Sequence, residues 1–165
     1  MNAKYELSGQ IRYESGRTLR RITALRVIGV FAKAGDLGGW IESEDNLSET
    51  GDAWIADEAV VVDNAKVVDD AFVFGHAIVS GSARLTGNAR VGDGAWVSSN
   101  ARVSDEAWVT GKARVAGDAQ IVDSAWVGDH AWISGKVQIS GFARVGGTAR
   151  LIGDEWIAGD VKISA

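Results

Sequence analysis

The sequence contains no cysteine, no proline and only two histidines among its 165 residues. Without cysteine, disulfides, thiolate metal ligands and cysteine nucleophiles are all excluded. Without proline, every residue can donate its backbone N–H to a strand ladder. No apolar run reaches the roughly 18 residues of a membrane span. No secretory signal is visible either, because Lys4, Glu6 and Arg12 interrupt the start. We therefore expect no membrane partner and a cytoplasmic location.

What the sequence does contain is a six-residue unit, repeated nineteen times from Gly51 to Ser164 without an insertion. Alanine occupies the third place of nearly every unit, and valine, isoleucine or leucine occupies the fifth. These two side chains share one face of a short strand, while the residue between them faces the opposite way. Gly, Asp, Ser and Asn dominate the first two places, where the chain can turn sharply. A strand and a corner every six residues predict an all-β coil.

The order of residues within a unit, as in Val91-Gly92-Asp93-Gly94-Ala95-Trp96, resembles the hexapeptide repeat of left-handed parallel β-helix proteins. The resemblance covers about two-thirds of the chain. It implies turns of 18 residues and about six triangular rungs over residues 51–165. The left-handed winding would be an exception to the usual right-handed crossover. Coils of this type commonly form homotrimers with clefts between subunits, so the resemblance also implies a homotrimer.

Two segments precede the repeats. Residues 1–33 alternate as a β-hairpin that would cap the first rung, and residues 34–50 form an irregular first turn with two extra residues before Ala53. Residues 1–33 carry a net charge of +5 and residues 34–70 a net charge of −10. We therefore expect the basic head to fold over the acidic first rungs, with a partner site as the alternative.

The segment AGDLGGWIESEDNLSETGDAWI, residues 34–55, carries a second resemblance. It is similar to the start of an uncharacterised enterobacterial family of acetyltransferase-like β-helix proteins, and similar openings occur in prophage reading frames. This resemblance implies a phage-encoded accessory protein that acts in the bacterial host cytoplasm.

With 18 residues per turn, the outward residues stack in three columns. Column one is Trp54, Phe72, Arg90, Trp108, Trp126, Arg144 and Lys162; column two is Val60, Ile78, Trp96, Arg114, Trp132 and Arg150; column three is Lys66, Arg84, Arg102, Gln120, Gln138 and Trp156. Columns one and two hold six outward Trp or Phe residues, more apolar surface than a monomer usually exposes. Arginines one rung from tryptophans also allow cation–π contacts.

Columns one and two therefore predict an oligomer interface, a binding site, or a ladder that only rigidifies the coil. The binding site would lie on Trp/Arg faces between subunits and would take a host protein or a small nucleotide-like ligand, with the base on tryptophan and the phosphate on arginine. The candidate residues are Trp96, Trp108, Trp126, Trp132, Arg90, Arg114, Arg144 and Arg150.

Catalysis would depend on histidine, since hexapeptide-repeat acyltransferases use a histidine as general base. Only His76 and His130 are available, at equivalent corners 54 residues apart and too distant to share a metal. We predict no metal and no cofactor, with acetyl-CoA only under the acyltransferase alternative. The net charge of −5 argues against nucleic-acid binding. The sequence thus favours a non-catalytic binding or scaffold protein over an acyl-CoA-dependent acyltransferase or a purely structural β-helix segment.

Overall fold

A computed structural model describes residues 3–165, and these residues form an all-β structure with a single short 3₁₀ turn at Glu44–Asn46. The head contains β1 (Tyr5–Glu14) and β2 (Arg17–Ala24), and β3 (Leu37–Ile41) follows. The remaining strands, β4 to β22 in chain order, are Trp54–Ile55, Val60–Val61, Lys66–Val67, Phe72–Val73, Ile78–Val79, Arg84–Leu85, Arg90–Val91, Trp96–Val97, Arg102–Val103, Trp108–Val109, Arg114–Val115, Gln120–Ile121, Trp126–Val127, Trp132–Gly135, Gln138–Ile139, Arg144–Gly146, Arg150–Gly153, Trp156–Ile157 and Lys162–Ser164. Across the part of the chain that the structure describes, no helix has the length and apolar character needed to cross a bilayer.

Strands three units apart stack in parallel and form three sheets, one for each predicted column. Paired residues differ by 18 positions, as in Arg90 with Trp108 and Trp108 with Trp126, which confirms the three columns. The chain is therefore a parallel β-helix. It makes about seven turns, which are close to the six expected over residues 51–165 together with a first turn supplied by residues 37–50. In that turn Ile41 pairs with Val61, an offset of 20 residues, which confirms the two extra residues predicted before Ala53.

The core is a stack of small and aliphatic side chains along the axis of the β-helix. Third-place residues from Ala53 to Ala149 and fifth-place residues from Ile55 to Val145 are at most 2% exposed. Their burial is the main favourable term in folding. The fifth-place residues of the last turn, Leu151, Ile157 and Ile163, are half-buried.

The corners depend on a left-handed backbone at the first place of every unit, which is occupied by Gly, Asp or Ser. Glycine has no Cβ to clash there, and aspartate tolerates this conformation better than most residues. The aspartates also reach across turns: Asp93 Oδ2 accepts from the N–H of Gly111 at 3.1 Å, and Asp129 Oδ2 accepts from that of Gly147 at 2.8 Å. The corner carboxylates therefore serve the turns, as the sequence predicted.

The head closes the top of the coil in two ways. First, β2 pairs antiparallel with β3, so that the column-two sheet continues as β5-β3-β2-β1. Second, side chains of the head donate hydrogen bonds to backbone carbonyls of the first turn, for which no earlier turn supplies an N–H donor. Lys4 Nζ donates to Ala53 O at 2.9 Å, and Arg21 donates to Asp57 O at 3.2 Å. Backbone carbonyls that would otherwise stay unpaired at the edge are thereby satisfied.

Charge attraction between the head and the first turns is confirmed. Of the six ion pairs formed within residues 3–165, five join an arginine of residues 1–33 to an acid of residues 34–70.

The head also covers the top of column one, so two of the six aromatic residues predicted to face outward are shielded from solvent. Trp54 is only 1% exposed, and Phe72 is half-buried under Phe31 with ring centroids 4.2 Å apart. The prediction that these two rings face solvent was wrong, because periodicity within the repeats carries no information about where the head folds.

Candidate ligand-binding cleft on column one

A shallow cleft of about 540 Å³ lies along column one. Its lining contains Arg90, Trp108, Trp126 and Arg144, four of the eight predicted binding residues. They belong to four consecutive strands of one parallel sheet, so each side chain stands one turn from the next, about 4.8 Å along the axis. The corner residues Asn88, Glu106 and Ser124 also line the cleft and add hydrogen-bonding groups. Two indoles are thus flanked by two guanidinium groups in a single surface.

The two indoles are presented differently. Trp108 is 39% exposed, and the guanidinium carbon of Arg90 lies 5.1 Å from its ring centroid. Trp126 is half-buried, and its ring lies so close to Gly128 that a Cβ on that glycine would collide with it. Gly146, one turn later, leaves room for the same ring, since a Cβ there would stand 3.1 Å from Trp126 Cζ3. The indole of Trp126 therefore folds back over a corner.

The sequence reading did not identify Gly128 and Gly146 as part of the site. Both occupy the sixth place of their units, whereas most glycines of the repeats occupy the first place, where the chain turns. A glycine at that place beside an outward tryptophan is the signal that predicts a ring folded over the corner.

The arginines of the cleft carry uncompensated charge. Each ion pair within residues 3–165 involves Arg12, Arg17, Arg21 or Arg26. Arg90 and Arg144 consequently have no carboxylate partner among the described residues, although Glu106 also lines the cleft. A guanidinium presents a planar fork of donors that matches carboxylate and phosphate groups. The cleft is therefore suited to anions even though the chain has a net charge of −5.

The other four predicted binding residues lie on column two, which is a different sheet and lines no part of this cleft. There the guanidinium carbon of Arg114 lies 5.8 Å from the ring centroid of Trp96, and that of Arg150 lies 4.4 Å from the ring centroid of Trp132. Each of these indoles has an arginine of the next turn over its ring. The structure thus divides the eight predicted residues into two groups of four.

Neither candidate base belongs to the column-one cleft. His76 and His130 are both exposed at the corner between columns one and two. His76 borders a separate groove with Arg12, Glu14 and Glu58. In residues 3–165 no group of three or more His, Asp or Glu side chains is arranged to hold a metal ion. The structure therefore does not bring a histidine together with the Trp and Arg residues of column one.

Comparison of the sequence with protein-family models and with curated proteins gives no match. The function is accordingly inferred from the geometry of the cleft.

Proposed function

We propose that this chain is a non-catalytic binding protein whose column-one cleft holds a small anionic ligand with a planar ring, such as a nucleotide. The observation that carries the proposal is the order Arg90, Trp108, Trp126, Arg144 in one cleft, with no carboxylate paired to either arginine. Stacking of a base on an aromatic side chain contributes about 1–3 kcal/mol. A hydrogen bond to a charged group contributes about 1.5–3 kcal/mol.

The spacing along the column suits a mononucleotide. A base stacked on Trp126 has the guanidinium of Arg144 one turn away, and a base stacked on Trp108 has that of Arg90 one turn away. Asn88 and Ser124 stand beside these positions and can hydrogen-bond to the edge of a base or to a sugar hydroxyl. The side chains project from a continuous parallel sheet, so little ordering accompanies binding.

The finer identity expected from the sequence forms part of this proposal. We infer a hexapeptide-repeat, acetyltransferase-like β-helix protein with a phage-encoded accessory role that binds a nucleotide or a protein of the host. The support is the unit pattern and the resemblance over residues 34–55, together with the parallel β-helix.

Isothermal titration calorimetry with AMP, GMP, CMP and UMP tests the proposal, with adenosine and ribose 5-phosphate as half-ligands. We expect a nucleotide to bind and each half-ligand to bind about tenfold or more weakly, since each lacks one contact type. The double variant Arg90→Gln/Arg144→Gln should weaken nucleotide binding by about tenfold or more through lost charge-assisted hydrogen bonds.

The matched control is Arg84→Gln/Arg102→Gln, which removes two arginines at equivalent outward positions on column three. It should leave binding unchanged. Absence of heat with all four nucleotides, or equal losses in the two double variants, would overturn the proposal.

A further inference from the structure

The hairpin and column two enclose a second pocket, separate from the column-one cleft, with a volume of about 230 Å³. Its floor is apolar: Leu19, Val60 and Val62 belong to one buried cluster and are 1%, 8% and 5% exposed. The wall on the β-helix side is Ile78 and Trp96, which are 36% and 43% exposed. The tip of the hairpin, residues 14–17, forms the opposite wall. An apolar floor between two walls is the usual form of a small-molecule site.

The hairpin wall is held in a fixed position over column two. Its two-residue turn, Ser15-Gly16, has φ values of 51° and 76°, as a type I′ hairpin turn requires. An ion pair of 2.7 Å joins Arg17 Nη2 to Asp63 Oδ1, and a hydrogen bond of 3.3 Å joins Arg12 Nη1 to Glu58 Oε2. The pocket therefore exists before any ligand binds.

The polar groups around the pocket restrict the ligands that it can take. The rim charges neutralise one another, because Arg17 pairs with Asp63 and Glu14 pairs with Arg12 at 2.8 Å. A charged ligand would lose its hydration on this apolar floor without gaining a free counter-ion among the lining residues, because Arg114, which lies beside Trp96, does not line the pocket. Ser80 Oγ accepts from the indole N–H of Trp96 at 3.0 Å, which leaves the serine hydroxyl proton to donate. The pocket can thus donate one hydrogen bond to an uncharged ring.

We propose that this pocket binds an uncharged single aromatic ring that carries a hydrogen-bond acceptor, such as a phenol. The ring would pack on Val60 and Ile78 against the indole of Trp96, an arrangement that aromatic pairs favour. Its acceptor would take the proton of Ser80. The same ring chemistry is available from a free small molecule or from a second copy of this chain, whose Tyr13 is 79% exposed at the hairpin.

The test is ¹⁹F NMR of protein labelled with 5-fluorotryptophan and titrated with p-cresol, with resonances assigned by Trp96→Phe and Trp156→Phe. Trp156 is a built-in control, because its indole N–H also contacts a serine, Ser140 at 3.4 Å, but it lies on column three without a hairpin beside it. We expect the Trp96 resonance to shift to saturation and the Trp156 resonance to stay in place. No shift of Trp96 at millimolar p-cresol, or equal shifts of both resonances, would overturn the proposal.

Variants test the apolar wall. Ile78→Lys should weaken p-cresol binding by about tenfold, because an apolar contact is lost. The fold should tolerate it, since Lys66 and Lys162 occupy equivalent outward positions. Gln138→Lys, at such a position on column three, should bind p-cresol like the wild type. Ionised 4-methylbenzoate should bind more weakly than p-cresol, and equal binding would overturn the requirement for an uncharged ring.

Dilution of the protein without p-cresol distinguishes the two sources of the ring. A Trp96 resonance that shifts on dilution, and no longer does so in Tyr13→Ser, would identify a second copy as the source and would support the aromatic site. A resonance that is independent of concentration but responds to p-cresol would identify a free small molecule and would also support it. A shift on dilution that persists in Tyr13→Ser would contradict the role of Tyr13.

Discussion

Replacement of Lys4 by methionine should remove a contribution to stability that depends on pH. Lys4 is 0% exposed, and its ammonium group donates to the carbonyl of Ala53 at 2.9 Å. Burial lowers the pKa of Lys4 from 10.5 to about 8, against the opposing effect of the nearby Glu49 carboxylate. Methionine is an unbranched side chain only one atom shorter than lysine, and it does not titrate.

The sign of the pH dependence follows from the pH range in which the folded chain has lost the Lys4 proton and the unfolded chain has not. Between pH 8 and 10.5 the unfolded chain keeps the Lys4 proton that the folded chain has released. The free energy of unfolding therefore rises with pH in this window, and the gain is lost as the pH falls through 8. At about 1.36 kcal/mol per pH unit the upper limit is about 3 kcal/mol, and screening by water near the end of the coil reduces it to roughly 1–2 kcal/mol. The free energy of unfolding of the wild type should therefore rise by this amount, relative to that of Lys4→Met, across the window.

Guanidinium unfolding at pH 7, 8, 9 and 10, monitored by tryptophan fluorescence, measures this difference in the free energy of unfolding. Lys33→Met is the control for the loss of one lysine charge, because Lys33 is exposed. Burial raises the pKa of Tyr5, but this residue is present in all three proteins and its effect cancels. Wild-type and Lys4→Met stabilities that run parallel from pH 7 to 10 would refute the assignment of Lys4 as a buried titrating group.

Three further outcomes are expected. Gly38→Ala should lower the free energy of unfolding by about 1–3 kcal/mol, because its Cβ would stand 2.6 Å from Ile22 Cγ1 and from Trp54 Cζ2. Gly94→Ala, whose Cβ would meet nothing closer than 3.5 Å, should change it by less than about 0.5 kcal/mol, and equal thermal melts would contradict the packing argument. Asp93→Ala should lower the free energy of unfolding, measured by chemical denaturation, by about 1–2 kcal/mol, because φ at this position is 55° and the cross-turn hydrogen bond is lost. Asp93→Gly should lower it less, because glycine adopts this φ without strain. The reverse order would refute the role of the left-handed corner. Native mass spectrometry should show an oligomer, because Trp96 and Trp108 leave large apolar rings exposed on columns two and one. We expect the homotrimer that the hexapeptide-repeat resemblance implies, and a monomer would contradict that expectation.

The amino-acid sequence by itself determined the β-helix and its columns. Each six-residue unit contains its own turn residue, its own inward pair and its own outward residue, so the local pattern dictates the local structure. Repetition without insertions then fixes the pairing, because any slip would bring an outward residue into the alanine and valine core. This is why Arg90, Trp108, Trp126 and Arg144 could be placed in one row before the structure was known.

The tertiary structure decided how each member of a column is used. Trp54 and Trp126 occupy the same place in the repeat, yet the first is buried at the head while the second folds over Gly128. The pocket between Trp96 and Arg17 likewise joins segments that no period relates. These outcomes depend on where the hairpin packs on the β-helix and on which residues beside each outward ring are small. Both are set by contacts between residues distant in sequence. The periodic pattern predicts the position of every outward side chain, but its exposure and its neighbours follow only from packing in three dimensions.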